Sequence, residues 1–135
     1  MNLVLIEKIA PPNSEEAIGD RAGEAMARAV VNLFRLWGLT EAEAAPLLGG
    51  ISERTYARWK NGEIGRLSVD LKTRLSVLMG VHKALRIIFT ENARAYEWVK
   101  KPNEHFGGRR PLDIMLGGQL TDLSRVRHYL DAARG

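Results

Sequence analysis

Between residues 22 and 37 apolar side chains recur at Ala22, Ala25, Met26, Ala29, Val30, Leu33, Phe34 and Trp37. Steps of three and four place them on one face of a helix. The pattern predicts a helix over about 20–37, with Ser14 or Asp20 as the N-terminal cap and Gly38 where a left-handed C-terminal cap would sit. Thr40 and Glu43 have the spacing of a capping box, so "EAEAAPLLG" reads as a second short helix ending at Gly49 and weakened by Pro46. A third helix is expected from Ser52 to about Asn61, with Tyr56 and Trp59 three apart on one face and Gly62 as the stop.

"GEIGRLSVD" reads as a loop ending in a Ser68 cap. A long seam follows at Leu71, Leu75, Leu78, His82, Leu85 and Phe89, widened by Met79, Val81, Ile87 and Ile88. A helix over 67–89 with that much apolar surface is expected to close the first unit and to pack on a second one or on another copy of itself. From Glu91 the elements shorten. "NARAYEWVKKPN" reads as a helix ended by Pro102, "HFGGRRP" as a loop, "PLDIMLGG" as one helical turn begun by Pro111, and "LTDLSRVRHYLDAARG" as a last helix capped by Thr121. Trp98, Leu112, Ile114, Leu116, Val126 and Leu130 are the expected core of this second unit. The predicted fold class is all-α.

Length and composition agree: 135 residues, 45% hydrophobic, suit one sizeable core or two small ones. The absence of cysteine rules out disulfides, thiolate metal sites and a cysteine nucleophile. His82, His105 and His128 show no zinc-site spacing, and no metal or cofactor is expected. The N-terminal apolar run is four residues, too short for a signal-peptide core, and no run approaches membrane-spanning length, so a cytoplasmic protein without membrane contact is expected.

The net charge of +4 is unevenly placed. Residues 1–67 carry eight Lys and Arg against nine Asp and Glu, and residues 68–135 carry twelve against seven. Bulk charge therefore makes no case for nucleic acid in the first half, where the case rests on local arrangement. With Tyr56 and Trp59 as anchors, Arg54 and Arg58 are candidates for guanine edges or phosphates, and Ser52, Thr55 and Lys60 for backbone contacts. The competing reading is an amphipathic helix with a solvated cationic face. His105 beside Glu104 lacks a nucleophile and an orienting group, and no catalytic residue is expected.

Two short helices around a glycine turn form the helix-turn-helix arrangement. "LTEAEAAPLLGGISERTYARWKNG" resembles its Xre-type version through Ala45, Gly49, Ser52 and Trp59, although the turn Gly49-Gly50-Ile51 is one residue longer than usual there. Residues 90–135 resemble the C-terminal toxin-binding domain of the Xre/MbcA/ParS antitoxin family through Trp98, Pro102-Asn103, Phe106-Gly107, Arg110-Pro111-Leu112-Asp113, a glycine pair and a final helix ending in glycine. The resemblance implies an antitoxin that occludes a RES-type, NAD-consuming toxin and represses its own operon, binding operator DNA as a homodimer. The expected division is an N-terminal segment (1–19), a helix-turn-helix domain (20–66), a connecting and dimerising helix (67–89) and a toxin-binding domain (90–135). Within the last, Arg109, Arg110, Arg127, Tyr129, Asp131, Arg134 and Gly135 are the inferred contacts, with Asp131 and the terminal carboxylate as anions for an NAD pocket. The alternative is a stand-alone Xre-like dimeric repressor.

Overall fold

The computed structural model describes residues 19–135, so the Ser14 cap and all but the last residue of the expected N-terminal segment lie outside the described residues. Seven α-helices follow in the described residues: α1 (Asp20–Leu36), α2 (Glu41–Leu47), α3 (Glu53–Lys60), α4 (Val69–Ile88), α5 (Asn92–Glu97), α6 (Pro111–Met115) and α7 (Leu120–Ala133). Two 3-10 turns, Trp98–Lys100 and Glu104–Phe106, lie between α5 and α6. The protein is all-α.

The capping chemistry explains most boundaries. Thr40 Oγ1 accepts from the Glu43 amide at 3.1 Å while Glu43 returns a carboxylate to the Thr40 amide at 2.9 Å. Ser52 and Ser68 cap α3 and α4 by accepting from the Thr55 and Leu71 amides. Two expected caps are corrected. Gly19 holds the N-cap of α1, and Asp20 is instead the first helical residue, its carboxylate 3.1 Å from Lys72 Nζ. Gln119 holds the N-cap of α7, because the Asp122 carboxylate reaches back to the Gln119 amide at 3.0 Å and leaves Thr121 inside the first turn. The second helix stops at Leu47 rather than Gly49, one residue after Pro46, whose missing N–H and ring oppose continuation. The expected loop "HFGGRRP" begins inside a 3-10 turn, Glu104–Phe106, and is tied back by a bridge from Arg109 to Asn103.

α4 is the axis of the molecule, with α1 packed on one side and α7 on the other. Phe34, Leu47, Leu75, Leu78, Leu85, Leu112, Leu123 and Leu130 belong to one continuous buried cluster spanning both ends of the chain. Serving two partners makes the buried arc of α4 wider than a heptad seam. It takes in Leu71, Arg74, Leu75, Leu78, Val81, Ala84 and Leu85, and Val81 displaces His82 from the expected seam. His82 sits at the margin, its ring 6.1 Å from that of Tyr96 and nearly parallel, and burial with the nearby Arg86 lowers its pKa. In the second unit Val99 is fully buried in place of the expected Trp98, which is half-buried.

Arg74 is 8% exposed and joins three parts of the chain. Its guanidinium donates to Asp70 at 2.9 Å, to the Gly118 carbonyl before α7 at 2.8 Å, and to the Pro46 carbonyl in α2 at 3.4 Å. A second tie is Lys100 Nζ on the Gly38 carbonyl at 2.8 Å. Replacing Arg74 by methionine keeps the stem but strips the donors from two carbonyls, and is expected to cost about 1–3 kcal/mol. Denaturant unfolding measures this; an unchanged midpoint would show that water satisfies these carbonyls without the arginine.

Candidate functional site

The Gly49-Gly50 turn aims α3. Both residues take positive φ, 77° and 83°, which non-glycine residues adopt at a cost. Their amides close the end of α2 on the Pro46 and Ala45 carbonyls. A side chain at Gly49 would also meet the Arg74 guanidinium, since a Cβ there would lie 3.1 Å from Arg74 Nε. Tyr56 and Trp59 are buried and fix α3 to the core. Burial, and then the Glu41 carboxylate, raise the Tyr56 pKa above its ordinary value.

The opposite face of α3 carries the candidate contacts, and the structure sorts them. Arg54 and Arg58, one turn apart, are exposed and make no side-chain hydrogen bond or ion pair within the described residues. Ser52 Oγ is committed to the helix cap and lies 3.0 Å from Thr55 Oγ1. Lys60 Nζ is 2.6 Å from Glu41 Oε1, so its charge is already matched inside the motif. Periodicity places Lys60 on the outer surface but cannot show a carboxylate nineteen residues earlier.

At the other end of the molecule α7 buries Leu123, Val126 and Leu130 against α4 and turns Arg125, His128 and Ala132 outward. A shallow depression runs along that outer side, lined by His105, Thr121, Ser124, Arg125, His128, Tyr129 and Ala132, with no acidic residue among them. Tyr129 is the hub of an aromatic platform. Its ring lies 4.3 Å from His105, 5.3 Å from Phe106 and 6.0 Å from a stacked Trp98, and Arg125 covers Phe106 at 5.4 Å.

Two family models divide the chain between them. The Antitoxin Xre-like helix-turn-helix domain matches residues 17–80, and the Antitoxin Xre/MbcA/ParS C-terminal toxin-binding domain matches residues 84–135. The chain belongs to the Xre/MbcA/ParS antitoxin family. "Uncharacterized protein y4oB" of Sinorhizobium fredii is 43% identical over 99 residues, covering 73% of this antitoxin and 76% of that protein. A solved chain from the M. tuberculosis MbcT-MbcA toxin-antitoxin complex is similar at 27% identity and TM-score 0.53, over 78% of this antitoxin and 90% of that chain.

Within the antitoxin's toxin-binding domain the inferred contact residues do not form one patch. Arg110 is spent locally: its Nη2 lies 2.7 Å from Asp113 Oδ1 and its amide donates to Oδ2 at 3.0 Å, which holds the Asp113 carboxyl below the usual carboxylate range. Arg109 is exposed and reaches only the Asp113 carbonyl, at 3.4 Å. Arg127 lies against Gly80 on α4, where the absence of a side chain makes room for its guanidinium. Asp131 is flanked by Arg127 at 3.5 Å and Arg134 at 3.6 Å, so it is not an isolated anion. Gly135 is exposed at the end. Of the inferred set, Tyr129 alone joins the platform, where His105 and Arg125 stand beside it. The sequence signal for these two is faint: they meet across a loop and a helix twenty residues apart. Among the described residues no helix is long and apolar enough to cross a membrane.

Proposed function

We propose that this antitoxin neutralises a RES-type, NAD-consuming toxin by covering its active site with the outer side of α7 and the chain end, and that it represses its own operon as a cytoplasmic dimer bound to a palindromic operator. The observation that carries the toxin half is the outer side of α7, an exposed depression beside half-buried aromatics and arginine. That combination is enriched where binding energy concentrates at protein interfaces. The solved relative comes from a toxin-antitoxin complex, which supports assigning a protein partner to this domain. The DNA half rests on Arg54 and Arg58, exposed on an anchored helix and without an ion pair among the described residues. Ile87, 56% exposed near the end of α4, supports self-association through that helix.

An NAD pocket must offer donors to a pyrophosphate, and such donors accept other anions. Asp131 would have to leave Arg127 and Arg134 to serve as that anion. Deleting Asp131 to Gly135 is therefore expected to abolish protection in cells coexpressing the toxin from the adjacent reading frame, with the platform still supporting complex formation. Full protection by a folded deletion variant would refute occlusion by the chain end.

A further inference from the structure

The chain turns back after α3 and brings Arg66 beside Arg58. Both line a depression between α3 and the start of α4, with Thr55 and Ser68 on its walls; Arg54 is not among its lining residues. Both guanidiniums are exposed, and neither enters an ion pair among the described residues. The acids around Arg66 are largely matched elsewhere. Asp20 and Glu24, which share a neighbouring depression with Arg66, pair with Lys72 at 3.1 Å and with Arg28 at 3.8 Å. Glu63 also lines the depression with the two arginines and bridges neither, which leaves a surplus of one positive charge there. The loop carrying Arg66 is held from behind, because Arg28 Nη2 donates to the Gly62 carbonyl at 3.2 Å.

Two guanidinium forks at a recess whose walls include the Thr55 and Ser68 hydroxyls suit the oxygens of a phosphodiester, which accept paired N–H donors. Beside a helix lying in the major groove, such a recess meets the sugar-phosphate wall rather than the base edges. We propose that Arg58 and Arg66 clasp a backbone phosphate of the operator, leaving Arg54 to read base edges. The division rests on the DNA-binding reading above and adds to it a residue that helical periodicity does not mark.

The test uses the full chain and two labelled duplexes of about 30 base pairs, one from its own promoter and one a scramble of the same composition, titrated across a salt series. Arg66→Gln is expected to weaken binding to both duplexes by the same factor and to leave the ratio between them unchanged. The slope of log Kobs against log salt should shrink by about 0.9 for each clasped phosphate in the double variant Arg58→Gln, Arg66→Gln, which leaves that phosphate without either guanidinium. Arg54→Gln should instead collapse the ratio. Circular dichroism confirms that the variants, altered at exposed positions, remain folded. The clasp is overturned if the double variant Arg58→Gln, Arg66→Gln leaves the slope intact or if Arg66→Gln lowers the ratio as Arg54→Gln does. A wild-type chain that binds neither duplex would overturn the DNA-binding reading itself, an outcome distinguishable from failure of the clasp alone.

Discussion

Replacing Leu78 by alanine is expected to cost about 2–5 kcal/mol, the range for truncating a fully buried leucine whose surroundings cannot collapse. Leu78 is 0% exposed at the middle of α4, where α1 packs from one side and α7 from the other. A cavity there has rigid walls on both flanks, because both helices are also held by their own buried residues, Val30 and Phe34 on α1, Leu123 and Val126 on α7. The shared core gives a second expectation: the helix-turn-helix end and the toxin-binding end should lose stability together. Unfolding followed by helix content and by tryptophan fluorescence should give coincident transitions, shifted equally by the substitution. Two separated transitions would show that the halves fold independently across α4.

The double variant Arg54→Ala, Arg58→Ala is expected to lose specific binding to its own promoter. A well-placed bidentate arginine contributes about 1–3 kcal/mol of base discrimination, and a dimer forfeits that contribution at both half-sites. Both residues are exposed and make no ion pair among the described residues, so their removal leaves Tyr56 and Trp59 in place and α3 folded. Promoter DNA shifted by the double variant as strongly as by the wild type would remove α3 from the recognition surface. A wild-type chain that is monomeric in solution would weigh against the palindromic arrangement, since two recognition helices must lie about one helical turn of DNA apart.

The elements are legible where local chemistry sets them. The 3–4 spacing of α1, the Thr40-Glu43 box, the Ser52 and Ser68 caps and Pro111 at the start of α6 depend on residues within a turn of one another. What escapes such a reading is settled between distant segments. A heptad seam takes in His82 because it assumes one partner, whereas α4 has two and turns Val81 inward. Lys60 reads as a DNA contact because its partner Glu41 lies on another helix. Asp131 reads as a free anion only if its neighbours at three and four residues are overlooked; both are arginines, a pairing that helical spacing does allow to be read. Arg74 gives no sign in the sequence that it is buried, because its three acceptors include a carbonyl forty-four residues away. The aromatic platform is hidden for the same reason: Trp98, His105 and Tyr129 come from three elements and meet only in the folded domain.

Neutralisation is proposed to rest on direct coverage of a toxin's NAD site. The most direct measurement is NAD consumption by the purified product of the adjacent reading frame as this antitoxin is added. Consumption should fall in proportion to the complex formed, and the variant lacking Asp131 to Gly135 should bind while restoring consumption. A complex that forms fully and still consumes NAD at the free toxin's rate would contradict it.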